Sequence, residues 1–456
     1  MKRTIMVQEE KHQDVSLGEL KIPQLNVDIK YSSLVPYAKG REDLEVLLRY
    51  PNVLRDKQPI EINGFNSHVM LRRAVALREE LQEKNKKFYT YEDLSTKHPI
   101  IVSYPPEVIW LAGDKGLRAW KKNFKQILPK TELGFEAEQI DLIIEKIITH
   151  VRLKPQTYHF WRAIINEKVE KESLSKIIME WAIQNTINSR GKWISPLTPL
   201  IDQSTLGSIN LSHRVNLAYS YLIDDKQDEG IKTPAPLYSI QLNSSIIHSD
   251  DWTDTLDQIV KNTRLALSED KFDGIFLYIR GFKRISQTNG RVHTLMKLMT
   301  ELNKIGKDTT LPTWYSRFGI AGLRALDCGC SFTSFPINIS HEDAYVDGFP
   351  GEEMHKYGKV INLTKREKWN KDQVIKSKSG PDGGLPHLEN YWIKNAPSIK
   401  EEESHFQWRI HFTKPYNIAA FSNLTDQWIK DIKAGETNPG KEFLKSFEAP
   451  YNNWSN

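Results

Sequence analysis

The sequence predicts an α/β fold, a (β/α)8 TIM-like barrel with an N-terminal extension and a C-terminal insertion plus helix. Three observations predict it. From Trp193 to Phe335, five strand-like and four helix-like stretches alternate in strict turn. Runs such as "GIFLYI" (Gly274–Ile279) are almost continuously apolar, as parallel strands buried on both faces become, and parallel strands need crossover helices. No G-x-G-x-x-G opens any of these helices, which disfavours the competing open, doubly wound sheet.

The chain has 456 residues, 39% of them hydrophobic and 27% charged, with 12 Trp, 17 Tyr and 17 Phe. That composition excludes a disordered chain. A net charge of +5 over so large a surface permits a nucleic-acid partner without requiring one. Two cysteines exclude a disulfide scaffold and fit a reducing, cytoplasmic setting. The N-terminus lacks the apolar run of a signal peptide, and no segment reaches 18 uncharged apolar residues, so no membrane association is expected.

Residues 1–58 read as the extension, 59–336 as the barrel, and 337–456 as the insertion and packing helix. The apolar pair of "PIEINGFNSH" predicts a first strand near Ile60. The next stretch, "SHVMLRRAVALREELQEK", predicts a helix with Val69, Leu71, Val75, Leu77 and Leu81 near one face. "HPIIVSYPPEVIWLAGDKG" predicts a strand near Ile109, and "LRAWKKNFKQIL" the helix after it. Two helices follow in "EAEQIDLIIEKIITHV" and "KESLSKIIMEWAIQNTI".

The alternating region then supplies strands in "WISPLTPLID", "APLYSIQLNSSII", "FDGIFLYIRGF", "LPTWYSRF" and "CSFTSF". After Pro336 the pattern dissolves around the loop "SGPDGG", and a last helix is predicted with Ile418, Phe421, Leu424, Trp428 and Ile432 on one stripe.

In a barrel, the working residues sit at the C-terminal ends of strands and in the loops after them. That rule selects Asp114, Asp202, Gln241, Asn243, Arg280, Gly281, Tyr315, Ser316 and Arg317. Amides and carboxylates match the donor and acceptor edge of a purine-like ring, and arginine can clamp phosphate. An Asp after a strand is equally a helix cap or turn former, and Arg280 could pair with a carboxylate on the rim.

Cys328, Cys330 and His341 fall short of the four ligands zinc needs, so Cys330 reads as a small hydrophobe and Cys328 as a turn residue. No H-E-x-x-H, G-x-S-x-G or P-loop is present. No metal and no cofactor is expected.

The order of these segments, from about Ile109 to Gly435, resembles the tRNA-guanine transglycosylase family, (β/α)8 barrels that exchange a purine base on a nucleic acid. "VIWLAGDKGL" is similar to its Asp-Ser-Gly-Gly segment, "ISPLTPLIDQ" to its base-gripping strand end, and "YSIQLN" to its Val-Gln-Gly-Gly. "IRGF" and "LPTWYSRFGIAG" resemble its later strand ends, and "GKVINLTKREKW" the segment after its last barrel strand.

The resemblance implies Asp114 as acid/base, Asp202 and Gln241 on the base edge with Asn243, Gly281 and Tyr315 around it, and Arg280 or Arg317 near phosphate. At the family's nucleophilic aspartate this chain has "CSFTSFP", offering Ser331, Thr333 or Ser334, and its zinc-binding cysteines are replaced by "SGPDGGLPHLENYW". The implied function is a divergent base-exchange transferase acting on or binding a nucleobase in DNA or RNA. The alternatives are an inactive barrel serving as a nucleic-acid- or protein-binding subunit, and a glycosidase pairing Asp114 with Asp202.

Overall fold

A computed structural model describes residues 5–12, 15–30, 33–83, 88–105, 113–153, 157–202, 206–248, 252–282, 289–337, 360–362, 366–370, 372–374, 408–447 and 454. Its first element is a three-stranded antiparallel sheet, β1 (Met6–His12), β2 (Val15–Ile22) and β3 (Val27–Lys30). The barrel begins at β4 (Ser33–Ala38), followed by helix α1 (Arg41–Arg49) and β5 (Ile60–Asn63). Next come α2 (Ser67–Glu83), α3 (Tyr91–Lys97) and β6 (Ile100–Ser103).

A long excursion of helices separates β6 from the next barrel strand. It comprises α4 (Gly113–Ile127), α5 (Ala137–Leu153), α6 (Thr157–Asn166), the small hairpin β7 (Lys168–Val169) and β8 (Glu172–Ser173), and α7 (Leu174–Asn188). Then the alternation is regular: β9 (Trp193–Ser195), α8 (Leu206–Asp228), β10 (Ala235–Pro236), β11 (Tyr238–Asn243), α9 (Trp252–Ser268) and β12 (Ile275–Arg280). It continues with α10 (Asn289–Thr309), β13 (Thr313–Ser316), α11 (Gly322–Asp327) and β14 (Phe332–Pro336). The chain ends in the hairpin β15 (Val360–Asn362) and β16 (Glu367–Trp369), then α12 (Lys414–Lys433) and α13 (Pro439–Lys445).

The parallel strands form one sheet in the order β10-β9-β6-β5-β4-β14-β13-β12-β11. Only Leu237 separates β10 from β11, so the two are one interrupted stave. Its first half pairs with β9, and Leu242 in its second half bridges Ile201, with Ile201 N donating to Gln241 O at 2.8 Å and Asn243 N to Ile201 O at 2.9 Å. Those bonds close the ring. The fold is a (β/α)8 TIM-like barrel of eight staves.

The structure differs from the sequence reading in two places. The first stave, β4, lies within residues 1–58, the segment expected to be an extension. Pro36 sits in that strand, and proline is a signal against a strand interior because it lacks a donor. The strand expected near Ile109 lies outside the described residues, which exclude 106–112; the described strand before it, β6, ends at Ser103. The buried side of α2 is Met70, Ala74, Leu77 and Leu81, with Val75 63% exposed.

The C-terminal helix is part of the barrel wall. Ile418, Phe421, Leu424, Trp428 and Ile432 of α12 are buried as the stripe predicted. Phe421 stacks on Phe335 of β14 at 3.8 Å, and Leu34 N of β4 donates to Thr425 Oγ1 at 3.3 Å. Helix α12 therefore covers the seam between last and first staves, the position of an eighth barrel helix.

The barrel interior changes character along its axis. Near the strand starts, Val35, Ile101, Trp193, Phe276, Trp314 and Phe332 form an apolar layer with Leu20, Ile22, Val27 and Ile29 of the antiparallel sheet. Trp314 stacks on Phe332 at 4.0 Å. The N-terminal sheet thus plugs the bottom of the barrel. Because side chains alternate with period two, the next inward layer falls two residues further on, and it is polar: Ser103, Ser195, Ser316 and Ser334, all buried.

Candidate functional site at the barrel mouth

Above the plug, one carboxylate reaches into the barrel interior. Glu61 of β5 is 2% exposed, and its Oε1 accepts from Ser103 Oγ at 2.7 Å and Ser316 Oγ at 2.8 Å. It is the only acidic residue on any described barrel strand. Its neighbour in the next layer, Asn63, donates to Tyr37 Oη at 3.0 Å. Arg317 Nη2 donates to the same oxygen at 2.9 Å, and its guanidinium lies 4.2 Å from the Tyr37 ring centroid and 4.7 Å from that of Tyr278.

Arg317 follows the last residue of β13 with a left-handed backbone, φ 64°. A non-glycine residue there stores local strain. Its N–H donates to Ser334 Oγ at 2.8 Å, which fixes the turn.

The closure between β9 and β11 brings the next group together. Gln241 is buried on the inward side of β11, where its Nε2 donates to Pro196 O at 2.9 Å and Ser239 Oγ at 3.1 Å. Its Oε1 has no hydrogen-bond partner among the described residues. Asp202 follows Ile201, the residue that bridges to Leu242, so the two candidate side chains flank one contact. Asp202 Oδ1 is also buried without a hydrogen-bond partner among the described residues. Burial pushes the Asp202 carboxyl above its usual range, against the opposing pull of His159 and Arg280.

Asn243 and Arg280 are register partners at the ends of β11 and β12. The Asn243 Oδ1 accepts from Ser245 N at 3.2 Å, a turn-forming role. Gly281 turns the chain with φ 72°, and a Cβ there would lie 2.6 Å from Ser244 Oγ. Asp202, Gln241, Asn243, Arg280, Gly281 and Arg317 thus sit on adjoining strand ends.

Two candidates stand elsewhere. Tyr315 points out of the barrel, donating its hydroxyl to Asn303 Oδ1 at 2.6 Å and Met299 O at 3.1 Å on α10. Alternation dictates this, since Trp314 and Ser316 take the inward positions. Asp114 is the second residue of α4, beyond the end of β6, and its side chain lies outside the described residues.

The three hydroxyls considered for a nucleophile also separate. Ser331 Oγ accepts from Thr313 N at 3.1 Å, at the strand starts. The hydroxyl of Thr333 faces outward, 2.7 Å from where a Cβ on Gly322 would stand. Only Ser334 faces the interior.

Cys330 is buried, its Sγ bonding to Phe332 O at 2.9 Å, and burial pushes its thiol well up. Among the described residues no group of three or more His, Cys, Asp or Glu side chains could hold a metal.

Sequence reasoning missed Glu61, Tyr37, Asn63 and Tyr278. A single charge inside the apolar run "PIEIN" was the available signal for Glu61.

Fold and site together define a closed (β/α)8 barrel, plugged below and polar above, with its candidate ligand groups at the C-terminal mouth. Comparison with known proteins adds no family: no family model matches the chain, and no curated protein matches it. Among solved structures, it is similar to a nitroalkane oxidase from Streptomyces ansochromogenes, at 8% identity and a TM-score of 0.27, covering 90% of this chain and 88% of that one. It is similar also to a probable tagatose 6 phosphate kinase from Sinorhizobium meliloti 1021, at 10% identity and a TM-score of 0.29, covering 92% of this chain and 91% of that one. Scores that low carry no weight for function. No helix among the described residues is long and apolar enough to cross a membrane.

Proposed function

We propose that the barrel binds a nucleobase, free or in DNA or RNA, at its C-terminal mouth, with Asp202 and Gln241 receiving the donor edge of the base. One observation carries the reading. Asp202 and Gln241 flank the Ile201–Leu242 bridge, and each keeps an oxygen, Oδ1 and Oε1, buried without a hydrogen-bond partner. An unmet buried acceptor costs about 1–3 kcal/mol, which a ligand carrying N–H donors recovers on binding.

Recognition without base exchange is favoured by the position where the resembled family has its nucleophile. Ser334 is the only one of the three hydroxyls that faces inward, and it is already bonded to the Arg317 backbone. A hydroxyl lacking an adjacent base is a poor nucleophile at neutral pH.

Calorimetry with guanosine, adenosine and a single-stranded RNA tests the proposal. The expected result is binding of a purine nucleoside that weakens at least about tenfold, the equivalent of one lost hydrogen bond, in both Asp202→Asn and Gln241→Leu. No binding to the wild type, or equal affinity in both variants, removes it.

A further inference from the structure

We propose that Glu61 is the inner anchor of the barrel's ligand site and takes a positively charged nitrogen, a protonated amine or an amidinium, from a molecule entering at the mouth. The inference shares with the proposed function only the location of the ligand, at the C-terminal mouth.

Glu61 is 2% exposed, and its described interactions are the hydroxyls of Ser103 and Ser316, both on Oε1. No Lys, Arg or His among the described residues forms an ion pair with it. Arg317, at the end of β13 one residue after Ser316, is held against the Tyr37 and Tyr278 rings.

Elsewhere among the described residues, several buried acids have cations. Glu45 pairs with Arg49 and Arg73, and Asp43 with Lys414. Glu61 differs from these, and its carboxylate reaches across the barrel interior to Ser316, beneath the mouth where ligands of such barrels bind. A buried carboxylate without a counter-charge is costly, and a cationic group arriving from outside would remove that cost. Two serine hydroxyls hold Oε1, and in the proposed complex Oε2 would meet the newcomer.

The competing account makes Glu61 a cross-brace tying β5 to β6 and β13. Glutamine separates the two, because its carbonyl oxygen can accept from both serines while the charge is gone. Wild type and Glu61→Gln are compared by thermal unfolding and by calorimetry at low salt with benzylamine, benzamidine and neutral benzyl alcohol. Glu442→Gln, on an exposed helix, controls for the loss of one negative charge.

The expected result is a Glu61→Gln protein that melts at or above the wild-type temperature, with amine and amidine affinity at least about tenfold weaker and benzyl alcohol showing no preference. A variant that melts below the wild type overturns the proposal, as do cations that bind both proteins alike or neither. Purine nucleosides are scored separately: if they fail to bind while amines bind through Glu61, the proposed function falls and this inference stands.

Discussion

One buried carboxylate ties α11 to both C-terminal helices, and removing it gives a quantitative test of that architecture. Asp327, at the end of α11, accepts at Oδ1 from Trp428 Nε1 (2.9 Å) and Gly440 N (3.1 Å), and at Oδ2 from Lys441 N (2.7 Å) and Arg324 Nη1 (3.5 Å). These bonds join α11 to both α12 and α13. Hydrogen bonds to a charged acceptor contribute roughly 1.5–3 kcal/mol each, against the desolvation of the carboxylate.

The balance is visible in Asp327 itself, whose pKa is raised because burial outweighs the donors from Trp428, Gly440 and Lys441. Asp327→Ala leaves four donors facing a hole and should cost about 3–5 kcal/mol, the range for breaking a buried charged contact. Asp327→Asn keeps one acceptor oxygen but turns an NH2 toward existing N–H donors, so about 2 kcal/mol is expected.

Because its folded pKa is raised, Asp327 contributes stability below its unfolded pKa that is lost as pH rises through the folded value. That limb should be absent from the Asn variant. Urea unfolding followed by tryptophan fluorescence, across the acid range, measures both effects. A shift below about 1 kcal/mol for Asp327→Ala would refute the view that this carboxylate holds the barrel's last wall in place.

Three further outcomes are expected. Glu42 is drawn down to about 2 because Lys414 and Arg409 overcome the opposing effect of its burial. Its depressed pKa stabilises the fold above the ordinary value of 4.5 and ceases to do so as pH falls toward 2. Screened by solvent at this half-open site, that is about 1–2 kcal/mol, and Glu42→Gln should abolish this part of the acid limb in a pH-dependent unfolding series. Gly281→Ala meets both a φ of 72° and a contact of 2.6 Å to Ser244 Oγ; a loss of about 1–3 kcal/mol is expected in thermal unfolding, partly restored by Ser244→Ala. Phe421→Ala deletes a fully buried ring stacked on Phe335 and should cost about 3–5 kcal/mol by calorimetry.

The legible part of this fold is the part whose partners are near in sequence. From Trp193 to Phe335 each strand pairs with the one about a helix away, so apolar runs and helical periodicity point to the same architecture. The first stave was hidden because its pairing is remote: β4 lies against β14, Phe332 opposite Ser33, and carries Pro36. Helix α12 was recognised as a helix, but its place as the eighth wall depends on Phe335 and Leu34, residues that periodicity cannot connect to it.

The candidate site was legible to the same extent. Asp202, Gln241 and Arg280 are strand-end residues and were found by that rule. Glu61 sits one layer deeper, and only the closed ring places Ser103 and Ser316 on either side of it. Tyr315 shows the converse error, since its outward direction follows from a one-residue phase of β13 that a short apolar run does not fix.

The two halves of the interior explain why one end of this barrel is available for chemistry. The antiparallel sheet fills the bottom with Leu20, Ile22, Val27 and Ile29 against Trp193, Trp314 and Phe332, a dry plug that supplies stability through packing. With that end sealed, the serine layer is free to be polar, and a carboxylate can stand among its hydroxyls. An apolar residue at position 61 would complete the core, and isosteric replacement of buried charge by packing is often stabilising. That a charge stands there, between two serines and below Asn63 and Tyr37, puts the cost at the end of the barrel where strand ends and loops can gather a ligand.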